Sequence, residues 1–118
     1  MSRMVRIYHN PRCSKSRATL ALLQAQGVEI EEVRYLETPP DSAALKTLVR
    51  QLGMQSAREL MRQGEVAYAQ QDLANPALSE DRLLQALVET PILLERPIVV
   101  NGDRARIGRP PEAVLAIL

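Results

Sequence analysis

VRIYHNPRCSKSRATLALLQAQGVEIEEVRYL, residues 5–36, is the stretch that decides the fold. Val5–Tyr8 alternates in character as a short strand does, and His9-Asn10-Pro11-Arg12 breaks it. From Ser14 a helical pattern carries Leu20, Leu23 and the small Ala18 and Ala21 until Gly27 stops it. Val28–Leu36 is rich in β-formers, but its alternation changes phase at Glu31-Glu32, which predicts the strand proper over about Glu31–Tyr35. Strand, helix and strand in so short a span make a βαβ unit, with a parallel pair and a right-handed crossover.

Outward from that unit the chain turns helical. Thr38-Pro39-Pro40-Asp41 fits a capping box with proline in the first turn, followed by Leu45, Leu48, Val49 and Leu52 on one face, before Gly53. Ser56-Ala57-Arg58-Glu59 is a second capping box, opening a short helix with Leu60 and Met61 inward and Arg62 next on it. Ser79–Glu89 reads as a third helix, with Gly64–Leu78 irregular before it. Ile98-Val99-Val100 is a buried-type strand, Asn101-Gly102 a two-residue hairpin turn, and Arg104–Ile107 the returning strand. Gly108-Arg109-Pro110-Pro111 leads into a final helix with Val114, Leu115, Ile117 and Leu118. The class is α/β in the order βαβ…ββα, with a helical insertion between the second and third strands. A chain of 118 residues supplies one core, so a single domain over 1–118 is expected, with the insertion at about residues 41–90.

Composition narrows the function. The longest apolar run, Ala113–Leu118, falls far short of the ~20 residues of a membrane span. The N-terminal MSRMVRIYHN holds no stretch that could serve as a signal sequence, so the mature chain is expected to begin near here, at a cytoplasmic address. A net charge of +1 argues against nucleic acid as the main partner, and three Tyr with no Trp or Phe give no stacking platform for bases. Thirteen of the fifteen basic residues are arginine, whose planar fork suits tetrahedral oxyanions and carboxylates, although a biased genome gives the same excess. One cysteine excludes an internal disulfide, a thiol-rich zinc site and a CxxC centre. A metal site would rest on one Cys and one His, and none is expected.

That cysteine, Cys13, stands where the first strand gives way to the first helix. Unpaired N–H groups and the positive end of the helix dipole stabilise an anion there, and Arg12, Lys15 and Arg17 add charge. A lone cysteine is most often a small buried hydrophobe. A polar, basic strand-to-helix loop favours instead a partly exposed thiolate nucleophile, with a pKa drawn below ~8.5. Named loops fail here. A phosphatase loop needs arginine six positions on, where Thr19 stands; a nucleotide-cradling loop needs glycines, which the segment lacks; a dithiol centre needs cysteine where Ser16 stands. Cys-Ser-Lys-Ser is therefore a one-thiol centre, which must pass its adduct to an external thiol.

Ile7-Tyr8-His9-Asn10-Pro11-Arg12-Cys13-Ser14-Lys15-Ser16-Arg17 resembles the active-site segment of the glutaredoxin-dependent arsenate reductases. Tyr35-Leu36-Glu37-Thr38-Pro39-Pro40 is similar to the end of their second strand, Pro91–Val100 to the start of their third, and Arg109-Pro110 to the loop before their last helix. The resemblance implies a thioredoxin/glutaredoxin-like fold and Cys13 as nucleophile. It implies an oxyanion site of Arg62, Arg96 and Arg109, with Asn10 and Ser16 settling the thiolate and His9 beside it; the charge of Arg17 adds to that tuning. Pro97, opening the third strand, becomes a candidate for a cis bond. The implied reaction reduces arsenate to arsenite through a Cys13 adduct, with no bound cofactor and with glutathione and glutaredoxin as external reductants. The chain resembles short members that lack a charged C-terminal extension.

Each residue also has a plainer reading. Arg62 could be a solvated helix-face residue, Arg96 an ion-pair partner, and His9 only the end of a strand. Arg104 and Arg106 read as edge-strand charges that discourage aggregation. Two other functions fit parts of the pattern: a monothiol oxidoreductase or deglutathionylating protein acting on protein thiols, and a non-catalytic regulator that binds RNA polymerase. The latter class carries CxxC, against which Ser16 argues.

Overall fold

The computed structural model describes residues 4–118; residues 1–3, part of the segment searched for a signal sequence, lie outside the described residues. By backbone contacts the chain forms two compact units, one of residues through Thr38 with Arg96–Leu118, the other of Pro39–Glu95.

The first unit is a four-stranded sheet in the order β2-β1-β3-β4, with β1 Met4–Tyr8, β2 Glu29–Val33, β3 Ile98–Asn101 and β4 Arg104–Ile107. β1 and β2 are parallel, while β1–β3 and β3–β4 are antiparallel. Helix α1, Ser14–Ala25, makes the crossover, and Gly27 at φ +71 supplies the left-handed residue that ends it. Val5 and Ile7 of β1, Leu23 of α1 and Val99 of β3 pack with Val114 and Ile117 in one apolar core. This is the expected thioredoxin-like arrangement, an α/β fold with helices between its second and third strands.

Several boundaries differ from the sequence reading. β2 lies two residues earlier than expected, at Glu29–Val33, because its register is set by pairing with β1, from Met4↔Glu29 to Tyr8↔Val33. Beyond it the chain turns, the Arg34 carbonyl accepting from the N–H groups of Glu37 and Thr38. The hairpin loop is Gly102-Asp103, not Asn101-Gly102. Asn101 stays in β3 opposite Arg104, its side-chain amide donating to the Ile117 carbonyl at 2.6 Å. Gly102 takes φ +63 at the first loop position, as a type II′ turn requires. The last helix is a 3₁₀ helix over Pro111–Ile117, a form that stacks residues three apart on one face, here the buried Val114 and Ile117.

In the second unit α2, Ser42–Gln51, is capped by Asp41, whose carboxylate accepts the Ala44 N–H at 2.8 Å; the prolines precede the helix instead of sitting in its first turn. Ala57–Leu60 is a 3₁₀ turn that carries the expected capping box of Ser56 and Glu59. The Glu80 carboxylate, in the first turn of helix α4 (Glu80–Glu89), ties that turn down by accepting from Ser56 Oγ at 2.7 Å and Ala57 N–H at 2.8 Å. Residues 64–78 are not wholly irregular, since Val66–Gln70 forms a short helix, α3. Arg58 braces this stretch by donating to the carbonyls of Leu73 and Asn75, each at 2.9 Å.

Of the described glycines, Gly108, just past β4, is the one with no room for a side chain. Its N–H donates to the Pro97 carbonyl at 2.9 Å. A Cβ there would lie 2.5 Å from Thr19 Oγ1 and 2.8 Å from Pro97 Cγ. Neither neighbour yields easily: Thr19 is buried and holds the Lys15 carbonyl at 2.8 Å, and the proline ring is stiff. Gly108→Ala is expected to cost about 1–3 kcal/mol through overpacking. Urea unfolding of the variant beside the parent protein measures this, and equal midpoints would contradict it.

Candidate active site

Asn10-Pro11-Arg12-Cys13 is a turn written in its own residues. Pro11 presets the backbone at the second position, and the Cys13 N–H donates to the Asn10 carbonyl at 3.0 Å. Asn10 Oδ1 accepts the Arg12 N–H at 3.0 Å, an Asx turn inside the β-turn. The Cys13 carbonyl then accepts the Arg17 N–H at 3.0 Å, the first helical bond, so Cys13 is the N-cap of α1 with extended backbone (φ −94, ψ 124). Its half-buried thiol thus stands at the helix N-terminus.

The sheet register brings two arginines to this sulfur. Tyr8 pairs with Ile98 and Ile98 with Ile107, so the residues just before β3 and just after β4 emerge at the end of the sheet where β1 releases the Cys13 loop. The peptide bonds Arg96-Pro97 and Arg109-Pro110 are both cis. Arg109 Nε donates to the Arg96 carbonyl at 2.8 Å, and its Nη2 reaches Cys13 Sγ at 3.8 Å. Arg96 acts on the sulfur both as a charge and as a side-chain donor. Its Nε and Nη1 are buried without a hydrogen-bond partner among the described residues.

Opposed forces set the state of Cys13. Burial pushes its pKa up; the N–H groups of Ser16 and Lys15, with the charge and hydrogen bond of Arg96, outweigh that and bring it below the ordinary thiol value. The two amides act as oriented dipoles, since the sulfur closes no capping hydrogen bond of full geometry with them. The Ser16 hydroxyl is engaged elsewhere, 2.7 Å from His9 Nδ1 and accepting the Asn10 N–H at 3.0 Å. It is the Ser16 main chain that bears on the thiol. Burial holds the His9 pKa below its usual value, and Arg34 and Arg17 push the same way against Glu32. Arg17 itself donates from Nη1 to the Pro11 carbonyl at 2.9 Å, bracing the turn.

Within the first unit, then, Cys13, Arg96, Arg109, His9, Asn10, Ser16 and Arg17 form one hydrogen-bonded and electrostatic cluster. Arg62 belongs to the second unit and is not on a helix. The chain leaves the 3₁₀ turn at Met61, which bridges to Leu94, and the Arg62 N–H donates to the Leu93 carbonyl at 2.7 Å while its guanidinium pairs with Glu65. Sequence reasoning missed the tight packing of Gly108 beside Arg109 and the pairing of His9 with Ser16. The glycine in Gly-Arg-Pro was the one available signal for the first. Among the described residues no group of three or more His, Cys, Asp or Glu side chains could hold a metal ion, and no helix is long and apolar enough to cross a membrane.

The rate of Cys13 alkylation by iodoacetamide is expected to inflect below ~8.5 as pH is varied, because the thiolate is the reacting form. Arg96→Leu should move the inflection upward. An inflection at or above the free-thiol value in both proteins would contradict this account of the sulfur.

The geometry agrees with what the chain is similar to. Residues 8–117 match the ArsC family. The chain is 61% identical over 118 residues to the protein YfgD of Escherichia coli strain K12, covering 100% of this chain and 99% of that one. It is 49% identical over 114 residues to an arsenate reductase of Neisseria meningitidis serogroup A, covering 97% of each. The solved structure of an arsenate reductase from Vibrio cholerae superposes with a TM-score of 0.97 at 51% identity, over 100% of both chains. By fold, by the span of the match and by identity to these relatives, the chain belongs to the ArsC family.

Proposed function

We propose that this protein reduces arsenate to arsenite, with Cys13 as nucleophile and with glutathione and glutaredoxin as the thiols that complete the reduction. The observation that carries the reading is the state of Arg96: a guanidinium beside a thiol of lowered pKa, with two buried donors that no atom of the described residues satisfies. Such donors are costly unless something accepts from them. A tetrahedral oxyanion offers acceptors in the right number, and its charge is what a thiolate nucleophile has to overcome. Arg109, fixed through the Arg96 carbonyl and reaching the sulfur, adds a second guanidinium. Arg62 is the third residue assigned to the oxyanion, following the resemblance.

In the first step the Cys13 thiolate forms a sulfur–arsenic bond and one arsenate oxygen leaves as water, with arsenic still in the +5 state. The guanidinium groups neutralise the anion and hold arsenic in line with the sulfur. Glutathione then adds at arsenic and a second oxygen leaves as water. A glutaredoxin thiolate attacks the glutathionyl sulfur, and the sulfur–arsenic bond breaks with its electron pair left on arsenic, now +3. Water cleaves the remaining Cys13–arsenic bond, releasing arsenite and restoring the thiol. In sum, one arsenate and two thiols give one arsenite, one mixed disulfide and one water. No bound cofactor takes part. We place the protein in the cytoplasm, where such thiols are kept reduced. A role on protein thiols uses the same Cys13 but leaves the two Arg96 nitrogens without a purpose.

The test is arsenate-dependent NADPH oxidation coupled through glutathione reductase, glutathione and glutaredoxin. Cys13→Ser should abolish turnover. Arg96→Ala and Arg109→Ala should each lower kcat/KM by about 10²–10³-fold, the usual effect of removing one transition-state donor. Turnover that survives Cys13→Ser, or is absent in the folded parent protein, would overturn the reading.

A further inference from the structure

A surface groove of about 460 Å³ lies against the Cys13 loop, lined by His9, Asn10, Pro11 and Arg12 on one side and by Arg34, Leu36 and Glu37, beyond β2, on the other. Its size is that of a site for a small molecule. Its charges are unspent. Arg12, Arg34 and Glu37 share the groove, yet none of their side chains has a hydrogen bond or ion pair among the described residues. Elsewhere in the molecule Arg6 pairs with Glu31 at 2.9 Å and Arg62 with Glu65.

His9 adds a placed donor. It is only 4% exposed, and Nδ1 is engaged with the Ser16 hydroxyl. The Ser16 hydroxyl accepts the Asn10 N–H and keeps its own proton to give; in the tautomer where it gives that proton to His9 Nδ1, the ring proton is carried on Nε2. That N–H has no partner among the described residues, on a side chain that lines the groove.

Two guanidinium groups, a neutral imidazole N–H, one carboxylate and the apolar faces of Pro11 and Leu36 describe a ligand with carboxylates, an ammonium and a short peptide body. We infer that the groove binds the peptide thiol that resolves the Cys13 adduct, with its carboxylates on Arg12 and Arg34 and its ammonium on Glu37. Asn10 and Cys13 are the two ends of one β-turn, about 7 Å or less apart. An extended tripeptide reaches about 10 Å, enough to lie in the groove and bring its sulfur to the adduct. That the ligand is a thiol rests on the function proposed above; the groove's preference for a zwitterionic peptide does not.

The probe is S-methylglutathione, which cannot react, titrated into the isotope-labelled full chain while backbone amide shifts are followed. Saturable shifts should centre on Asn10, Arg12, Leu36 and Glu37, and Arg34→Glu should weaken the binding by about tenfold or more. In the coupled assay the same variant should raise the KM for glutathione by a like factor and that for arsenate by less than twofold, whereas Arg104→Glu, a charge reversal on β4, should change neither. Binding that is undiminished in Arg34→Glu, or shifts that centre away from the groove, would overturn the assignment. Groove-centred shifts that depend on Arg34, in a protein that fails to turn over arsenate, would uphold the groove while removing the arsenate reading.

Discussion

The antiparallel ladder β1–β3–β4 is the constraint on which the site depends. Tyr8 faces Ile98 and Ile98 faces Ile107, so the chain on either side of the hairpin and the end of β1 come out at one edge of the sheet. Continuing that register places Pro97 against Gly108, whose N–H meets the Pro97 carbonyl, and Arg96 against Arg109, whose Nε meets the Arg96 carbonyl. Two arginines far along the chain are thereby delivered to the sulfur by pairing alone. The close approach of β4's exit to Thr19 of α1 is met by the absence of a side chain at Gly108.

At that edge the molecule holds a combination that would not persist without mutual compensation. A half-buried thiol favours its neutral form, and two guanidinium groups side by side repel. The first-turn amides and Arg96 act against the burial and draw the thiol pKa below its ordinary value, and a negative charge on the sulfur would lessen the repulsion between the guanidinium groups. Among the described residues nothing accepts from the pair of buried Arg96 nitrogens, each a cost of about 1–3 kcal/mol when left without an acceptor. Unsatisfied buried donors are rare in folded proteins, and this pair is the observation that supports the oxyanion reading.

Much of this was legible in the residues, for identifiable reasons. Asn-Pro-Arg-Cys after an alternating strand spells a turn and an N-cap, so the position of Cys13 followed from local chemistry. The edge strand β2 did not, because Glu29, Glu31 and Glu32 face solvent on an exposed edge and only the pairing with β1 chooses its register. The hairpin slipped by one residue because the Asn101 side chain serves the Ile117 carbonyl, a contact 16 residues away. Arg62 was expected on a helix that the Met61–Leu94 bridge cuts short. Arg109 reaches Cys13 across 96 residues, a separation no spacing rule encodes, and it entered the reading through resemblance to a family. The groove charge at Arg34 carried no motif, and Glu37 stood in a family-like segment without a role of its own; both became informative only when the fold set them in one groove with the Cys13 loop.

The proposed oxyanion, held between Arg96 and the Cys13 sulfur, would shield that sulfur from other electrophiles, and its protection against alkylation is the most direct measurement. Arsenate titrated against a fixed dose of iodoacetamide should slow Cys13 alkylation in a saturable way in the parent protein, and Arg96→Ala should lose most of that protection while its Cys13 remains alkylatable. Alkylation indifferent to arsenate in the parent protein, or protection equally strong without Arg96, would contradict it.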